Sequence, residues 1–346
     1  MAMRQLWVLA CVAGCGGTES SLLDFVEADA DLARPIHITG HSRHELWSVV
    51  DRPGGDEAMI AFTQNRGESW KRFAVPSIRG SEPVQLAADG KGLAWITGTG
   101  MDGAPVLASV RVIGDQATIE DFSSVFPPGT TEVTLHLGGL DPDPMITARV
   151  AAAPTLSLFL LDELRPIPSW YRHPMTDVIS LVGVYGVDAG YFLKATAGIP
   201  TLIYCSLPDG SAHCFEVPPW TDGNDRILPS TPTPDNDWLW RADSLGGELV
   251  HRIGGGFDVR RVEGWPDSAL VPIRFLAVET GELGVLASRT GSLVWVTLDA
   301  QTRVTRETTL GEYTGDIDPE SVTMLPDTTL VIPTADGWYR GDVRGL

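Results

Sequence analysis

Three histidines lie close together near the start of the chain, at a spacing that could serve a transition metal. His37, His41 and His44 fall within eight residues of the segment HITGHSRHELW. Zinc and related ions need three or four ligands that converge on one point. The strand pattern described below leaves only His41 and His44 in one turn, with Glu45 as the nearby carboxylate. Solvated turn histidines are the favoured interpretation. We therefore predict no metal and no cofactor, and a weak site around His41 and His44 stays open.

A glycine-rich segment, GTGMDG from Gly98 to Gly103, fits the spacing of a dinucleotide-binding loop. That chemistry needs a helix directly after the glycines, because the helix N-terminus receives the pyrophosphate. The segment that follows, APVLASVRV, has the pattern of another strand. We therefore predict a hairpin loop at this point. The sequence also lacks the catalytic or metal-binding patterns G-x-S-x-G, H-E-x-x-H and C-x-x-C.

The N-terminus has the pattern of a targeting signal. Arg4 precedes an apolar run from Leu6 to Ala13. That run is too short to span a bilayer, which needs about 20 residues, but it suits a secretory signal. Its end, Val12-Ala13-Gly14-Cys15, resembles the bacterial lipobox. The resemblance implies a signal peptide over residues 1–14, lipid attachment at Cys15 and a short linker over residues 15–20. It also implies the outer membrane, because no Asp follows the cysteine.

Export places the remaining cysteines, Cys205 and Cys214, in an oxidising compartment. They flank the segment SLPDGSAH, which contains the turn residues Pro208, Asp209 and Gly210. A hairpin with a two- or four-residue loop sets the two cysteines opposite each other, within disulfide range. A three-residue loop would spoil that register. We predict the disulfide, and two free buried thiols are the alternative.

An internal sequence repeat predicts the strands and turns on which the candidate residues lie. A unit of four short strands recurs at intervals of 43 to 50 residues, with starts near Ala33, Ser81, Gly129, Met175, Asp225, Ser268 and Asp316. The second strand of the unit is the clearest marker, beginning near Glu45, Leu93, Pro144, Gly190, Trp238, Gly284 and Thr329. A period in the forties with four strands per unit is typical of β-propeller blades. We predict an all-β, seven-bladed propeller of four-stranded antiparallel blades over residues 21–346, with six or eight blades as alternatives.

The last unit, from Asp316 to Leu346, holds enough residues for only three strands. A closed ring needs a fourth strand there, because an open blade edge would expose unpaired backbone groups. The segment Ser21 to Ala28, SLLDFVEA, alternates well enough to add to that edge, with Leu23 and Phe25 on one face. We predict that this N-terminal strand closes the last blade.

The segment TQNRGESW contains Thr63, Asn65, Gly67 and Trp70 at the spacing of the Asp-box, S/T-x-D-x-G-x-x-W, with Asn in place of Asp. It therefore resembles the BNR/Asp-box, or sialidase-like, β-propeller family, here in the form of a bacterial lipoprotein. In that family the box is a structural hairpin between the third and fourth strands of a blade. The resemblance rests on one blade, because the other units lack the box.

A sialidase would also need three arginines, a Tyr nucleophile with a Glu partner, and an Asp acid/base. The diagnostic F-R-I-P is absent from this sequence. Arg241, Arg274 and Tyr313 could approach one face of the ring, but the sequence does not bring them together. We therefore predict a chain without a catalytic site, and a glycan-active enzyme is the alternative.

The formal net charge of −20 bears on the partner. Affinity for nucleic acid rests on Lys and Arg, so a surface this acidic disfavours it. Loops of a propeller gather on one face around a central channel, which suits the binding of a protein segment or a glycan. We predict an extracytoplasmic binding or scaffold module with an envelope protein or glycan as partner. An assembly factor for a membrane complex is a further alternative.

Overall fold

The structure is a computed structural model. It describes residues 22–27, 34–51, 56–90, 92–137, 144–150, 153–162, 169–175, 177–184, 189–196, 199–206, 213–219, 226–231, 238–243, 245–277, 283–312, 317, 322–325, 327–334, 337–343 and 346. The predicted signal peptide, Cys15 and the linker lie outside these ranges. No helix within them is long and apolar enough to cross a membrane.

Short antiparallel strands dominate the described chain, and they form seven four-stranded blades. A single turn of 3-10 helix, Ser123–Val125, joins two of the blades. The strands are, in blade 1, β2 (Arg34–Ser42), β3 (Glu45–Asp51), β4 (Glu57–Thr63) and β5 (Lys71–Arg79); in blade 2, β6 (Gln85–Gly90), β7 (Leu93–Thr99), β8 (Pro105–Ile113) and β9 (Gln116–Asp121); in blade 3, β10 (Thr130–Leu137), β11 (Pro144–Val150), β12 (Ala153–Asp162) and β13 (Ser169–Met175); in blade 4, β14 (Val178–Val184), β15 (Ala189–Thr196), β16 (Ile199–Ser206) and β17 (His213–Glu216); in blade 5, β18 (Arg226–Thr231), β19 (Trp238–Ala242), β20 (Glu248–Ile253) and β21 (Gly256–Arg261); in blade 6, β22 (Val271–Ala277), β23 (Leu283–Arg289), β24 (Ser292–Leu298) and β25 (Val304–Glu312); and in blade 7, β26 (Thr323–Met324), β27 (Thr329–Pro333), β28 (Gly337–Asp342) and β1 (Asp24–Glu27).

The seven-bladed prediction is confirmed. Each predicted second strand begins within one residue of an observed one. The glycine-rich segment Gly98 to Gly103 joins β7 to β8 as a hairpin, and the Gly100 backbone N–H donates to the Ala104 carbonyl at 2.6 Å. The repeat predicted the blades well because successive side chains of a strand point to opposite faces of the sheet, and both faces of a blade are packed.

The ring closes through the N-terminal strand, as predicted. β1 pairs antiparallel with β28, with Asp24 opposite Arg340 and Glu27 opposite Gly337. The Leu22 backbone N–H also donates to the Leu310 carbonyl of blade 6 at 2.9 Å. The first strand of the chain therefore completes the last blade and holds it to its neighbour.

The hydrophobic core lies between the blades. Separate clusters of buried side chains fill the seam between each blade and the next, including the seam between blades 7 and 1. Trp47 and Trp95, at matching positions of the repeat, fill the seams of blade 1 with blade 2 and of blade 2 with blade 3. Each blade therefore packs one of its faces against the preceding blade and the other face against the next blade.

Blades 5 and 6 are joined more extensively than by packing alone. Their innermost strands pair in parallel, with Ser230 opposite Phe275 and Thr231 opposite Leu276. The backbone of Glu263 also exchanges hydrogen bonds with Thr302 and Val304 of blade 6, at 3.1 and 2.9 Å. The two blades consequently form one continuous eight-stranded sheet.

The predicted disulfide is present in blade 4. Cys205 of β16 lies opposite Cys214 of β17, and their Cα atoms are 4.1 Å apart. Ser206 and His213 are the neighbouring pair, which is the register expected for a two- or four-residue loop. The loop itself lies outside the described residues. Cys205 is buried in the seam with blade 3, so the bond ties the short outer strand to the core.

Candidate functional site

The Asp-box hairpin lies between β4 and β5, the third and fourth strands of blade 1. The Thr63 hydroxyl accepts the backbone N–H groups of Asn65 and Gly67, both at 3.2 Å. The Asn65 side-chain oxygen accepts the backbone N–H of Ser69 at 3.1 Å. Trp70 Nε1 donates to the Gly67 carbonyl at 3.1 Å. Every signature side chain therefore satisfies the hairpin itself, and the box has the geometry of a structural turn.

The same hairpin also contacts the last blade. The ring of Trp70 packs on the ring of Trp338, with centroids 5.2 Å apart. Arg340 of blade 7 donates to the Arg66 carbonyl at 2.6 Å. The box thus fastens the seam at which the first and last blades of the ring meet.

Of the three histidines in this segment, only the side chain of His44 is among the described ones. His44 is exposed in the turn after β2, and Arg66 donates to its Nδ1 at 3.4 Å. The side chains of His37 and His41 lie outside the described ones. No group of three or more metal-binding side chains occurs among the residues described.

The two arginines considered for a glycosidase site, Arg241 and Arg274, lie on strands of different blades. Arg241 of blade 5 is buried; it donates to the Pro218 carbonyl at 2.7 Å and lies 3.6 Å from a Glu248 carboxylate oxygen. Burial lowers the pKa of Arg241, and the Glu248 carboxylate opposes that shift. Arg274 belongs to the innermost strand of blade 6, and Tyr313 lies outside the described residues. Arg241 therefore supports the seam between blades 4 and 5.

The two ends of the blades differ in what they carry. The innermost strands begin at the end that holds the connections between blades and the turns between second and third strands, which we call the loop face. The opposite end holds the turns between first and second strands and between third and fourth strands, which we call the hairpin face. Functional residues of propellers are expected on loops that a rigid ring positions.

Several innermost strands are irregular where they begin, at the loop face. The register of their pairing with the second strand shifts near the start of four innermost strands. The shift falls in β2 between Pro35 and His37, in β10 between Thr131 and Thr134, in β14 between Val178 and Ser180, and in β22 between Pro272 and Arg274. Such bulges re-aim side chains and are frequent beside functional sites. Four blades therefore present altered backbone around the mouth of the central channel.

The bulge of blade 3 is held by an ion pair. Glu132 has a φ of 51°, a conformation that costs energy for a residue with a Cβ. Its carboxylate binds Arg149 of the second strand, whose guanidinium also donates to the Ile179 carbonyl of blade 4 at 2.6 Å. The strained residue thus forms part of a bridge between the innermost strands of two blades.

An apolar surface lies on the loop face where blades 5 and 6 meet. Leu245 and Val271 are exposed, and Trp265 lies half-buried between the segments that carry them. Trp265 Nε1 donates to the Leu270 carbonyl at 3.3 Å. A side chain on Gly246 would lie 2.9 Å from the Trp265 Cβ atom, so the two segments touch. We call Leu245, Trp265, Pro266 and Val271 the shelf.

Buried aromatic rings support the shelf. The ring of Trp240 meets that of Trp265 edge to face, with centroids 5.2 Å apart. Trp240 Nε1 donates to the Gly246 carbonyl at 2.5 Å. The shelf is therefore a built surface with a fixed backbone, and its exposed apolar groups have the character of an interaction site.

Charged groups around the shelf pair with one another. Asp243 binds Arg261 at 2.6 Å, and Arg289 binds both Asp267 and Glu307, at 2.9 and 2.6 Å. The hydrogen bond that Arg289 donates to the Glu307 carboxylate, together with the nearby Asp267, raises the pKa of Arg289. The arrangement can hold a ligand by apolar contact and by hydrogen bonding at its rim.

Sequence reasoning missed the shelf, although Trp265 and the pair Gly246-Gly247 were visible signals. An aromatic residue in a loop between two blades has no role in the strand pattern of the repeat. Two adjacent glycines before a strand indicate tight backbone approach, and both have positive φ values here, 103° and 87°. Only the fold shows that the two segments meet.

A part-buried histidine on β10, His136, gives a test of the fold by pH. Burial lowers the pKa of His136 to about 4, and its Nε2 lies 2.9 Å from the Thr147 hydroxyl. The imidazole of His136 has a pKa of 6.5 in the unfolded chain but binds a proton in the folded chain only near pH 4. The contribution of His136 to the stability of the fold is therefore fully present above pH 6.5 and falls as the pH drops towards 4. By this linkage the loss at pH 5 is about 2 kcal/mol.

The measurement is the urea midpoint at pH 7.5 and at pH 5. We expect His136→Gln to show a smaller loss between the two values than the native chain. The matched control is His213→Gln, because His213 is exposed on β17. Equal losses in all three proteins would show that His136 does not titrate as its burial requires.

Comparisons with known proteins support the fold. No protein-family model matches the chain, and no curated protein is significantly similar to it. Among solved structures, the propeller domain of the Trilobed protease from Pyrococcus furiosus, described as having an open velcro topology, aligns with a TM-score of 0.59 at 9% identity, over 90% of this chain and 96% of that one. YCF48 bound to a D1 peptide aligns with a TM-score of 0.51 at 12% identity, over 93% and 95% of the two chains.

A third similar structure comes from a study of two prolyl endopeptidases. It aligns with a TM-score of 0.52 at 11% identity, over 84% of this chain and 43% of that one. Identities this low show a shared architecture and nothing of activity. The comparisons therefore agree with the strands and their pairing that this chain is a seven-bladed β-propeller.

Proposed function

We propose that the protein is a lipid-anchored, extracytoplasmic binding module that holds an extended protein segment on its loop face. The shelf carries this proposal, because its exposed apolar side chains rest on a buried aromatic support. An apolar patch of this kind on a folded surface indicates a binding site. Extended peptides suit it, since the charged pairs at the rim, Asp243 with Arg261 and Asp267 with Arg289, can hydrogen-bond to a bound backbone.

The comparisons and the charge support a peptide partner. YCF48, which shares the architecture, is a propeller with a peptide bound. The net charge of −20 favours a neutral or cationic segment over an anionic one. It also argues against nucleic acid. The proposal gives the chain no catalytic role and no cofactor, since the arginines and carboxylates described around the shelf are engaged with one another.

The anchor in this proposal rests on the lipobox-like segment that ends at Cys15. The disulfide between Cys205 and Cys214 supports export, because such bonds persist in oxidising compartments. We place the protein at the outer membrane, with an envelope protein as its partner.

The test compares capture of envelope proteins by the native chain and by shelf variants in detergent. Leu245→Asp puts a charge on the shelf without disturbing a packed side chain, and we expect it to lose the captured protein. Ile113→Asp is the matched control, since Ile113 is an exposed aliphatic residue on the hairpin face.

The captured protein is then identified, and overlapping synthetic peptides that cover its sequence are labelled with a fluorophore. The binding of each peptide to the chain is measured by fluorescence anisotropy. We expect one neutral or cationic segment to bind the native chain and the control but not Leu245→Asp. Equal capture and equal peptide binding by all three proteins would refute the shelf as the site.

A further inference from the structure

Arg252 lies in the seam between blades 4 and 5, with its guanidinium over two aromatic rings. Its Cζ atom is 4.1 Å from the centroid of the Tyr204 ring and 5.5 Å from that of the Phe215 ring, both in blade 4. Within the part of the chain that the structure describes, this guanidinium makes no hydrogen bond and no ion pair. Three other arginines of blades 5 and 6 each pair with a carboxylate: Arg241, Arg260 and Arg289. The N–H donors of Arg252 are therefore available to a ligand.

The matching position in blade 2 shows that the fold does not require an arginine here. Residues 113–116 of blade 2 and residues 253–256 of blade 5 form matching turns, since the first and last residues of each turn pair with each other. The residue directly before the turn is Val112 in blade 2, which is 6% exposed and packs in the seam with blade 1. An apolar side chain satisfies this position, so packing between blades does not explain the charge of Arg252.

The rings beneath the guanidinium are held in place. Tyr204 is 2% exposed, and its ring meets that of Tyr191 edge to face, with centroids 5.1 Å apart. Phe215 lies opposite Tyr204 in the pairing of β16 with β17, and the adjacent pair is the disulfide between Cys205 and Cys214. The disulfide keeps the two rings in register. A guanidinium resting on such a support has little conformational freedom to lose when it binds a ligand.

The surroundings of the guanidinium are open. The turn after Arg252 carries glycines at positions 254–256, and a Cβ atom on any of them would meet no atom within 4 Å. Phe215 is 40% exposed, and all four residues of β17 are exposed. Because side chains alternate along a strand, the exposed His213 lies on the same face of β17 as Phe215, and Glu216 lies on the opposite face. The charges of β17 thus leave the neighbourhood of Arg252 free for an anion.

A carboxylate next to an apolar group fits this arrangement. The planar fork of a guanidinium matches the two oxygens of a carboxylate, and the exposed ring of Phe215 offers apolar contact beside it. A small molecule needs enclosure on most of its surface, which an open corner does not give. Arginine beside aromatic rings is instead the composition of hot spots in protein interfaces. The ligand class is therefore a protein segment with an acidic residue beside an apolar one.

We propose that Tyr204, Phe215 and Arg252 form a docking site for an acidic segment of a partner protein, which we call the Arg252 site. Arg252 binds a carboxylate of the segment through two N–H donors, and Phe215 contacts the neighbouring apolar side chain. The Arg252 site lies in the seam of blades 4 and 5, whereas the shelf lies where blades 5 and 6 meet. The inference therefore goes beyond the proposed function and does not depend on it.

The experiment selects binders from a phage-displayed library of random short peptides on the disulfide-bonded protein. Selected peptides are labelled, and their Kd is measured by fluorescence anisotropy for the native chain and for variants. Arg252→Met keeps an apolar stem on the Tyr204 ring, and Arg252→Lys keeps the charge without the planar fork. Arg111→Met is the matched control, because Arg111 is an exposed arginine on the third strand of blade 2.

We expect a group of selected peptides to share Asp or Glu beside an aliphatic or aromatic residue. These peptides should bind Arg252→Met at least about tenfold more weakly than the native chain, Arg252→Lys with an intermediate Kd, and Arg111→Met unchanged. Replacing the acidic residue of the peptide by its amide should weaken binding to the native chain but not to Arg252→Met. That coupling separates a direct contact from a change in the fold.

Two outcomes would overturn the Arg252 site. One is a set of peptides without an acidic residue. The other is an acidic residue that contributes equally to binding of the native chain and of Arg252→Met. Peptides that lose binding with Leu245→Asp but not with Arg252→Met belong to the shelf, so a selection that yields only those would overturn the Arg252 site and leave the proposed function standing.

Discussion

Deletion of residues 22–27 from the soluble, unacylated protein is expected to destabilise the propeller by at least about 4 kcal/mol, with a fall in melting temperature of roughly 6 °C. The deletion removes the whole of β1 and opens the edge of blade 7. It also removes Leu23, which is 4% exposed and packs with Trp295 and Leu310 in the seam between blades 6 and 7. A melting temperature within a degree or two of the native value would show that this strand closes nothing.

A pair of single substitutions separates packing from the presence of the strand. Leu23→Ala is expected to cost about 3 kcal/mol, because it leaves a cavity in a closed seam. Leu22→Ala should cost no more than about 0.5 kcal/mol, since the side chain of Leu22 is itself 43% exposed. Both are measured by urea unfolding at neutral pH. Equal costs for the two leucines would contradict the register of β1 on β28.

Gly67→Ala in the Asp-box is expected to cost about 3 kcal/mol. Gly67 has a φ of 83°, and a Cβ atom there would lie 2.4 Å from the ring of Trp338 in blade 7. The substitution therefore combines backbone strain with a clash against a large, buried ring. We expect a lower urea midpoint together with a changed tryptophan fluorescence, because the contact between Trp70 and Trp338 must open.

Gly103→Ala is the matched control for that clash. Gly103 has a φ of 85°, almost the same as Gly67, but no atom lies within 4 Å of the Cβ position. It should cost only the backbone strain, about 1 kcal/mol, with unchanged tryptophan emission. Equal destabilisation by the two substitutions would mean that the Asp-box does not hold blade 7.

Local features of the chain were sufficient to predict the blades. Alternating apolar residues and the turn residues between them act within one strand or one hairpin. The equivalent positions of Trp47 and Trp95 then show that the four-stranded unit repeats. The disulfide was predictable for the same reason, since Cys205 and Cys214 belong to one hairpin. The closing role of the N-terminal strand followed from a count, because the last unit had residues for only three strands.

Contacts between distant segments were not predictable in this way. The box marks a hairpin within one blade, but its Trp70 ring packs at the seam against Trp338, which lies 268 residues later in the chain. The shelf likewise depends on the approach of Gly246 in blade 5 to Trp265 in the connection to blade 6. The bulge at Glu132 has no local signature, because its φ of 51° is stabilised by an arginine on the next strand.

The continuous sheet of blades 5 and 6 determines how the shelf can meet a ligand. The shelf spans the two blades that are hydrogen-bonded to each other, both at their innermost strands and through Glu263. Its two halves cannot separate without breaking backbone pairing, so the surface is preorganised and its own ordering entropy on binding is small. The conformational cost of a complex then falls on the incoming segment, and a proline or a cyclised backbone that fixes its extended form should tighten binding.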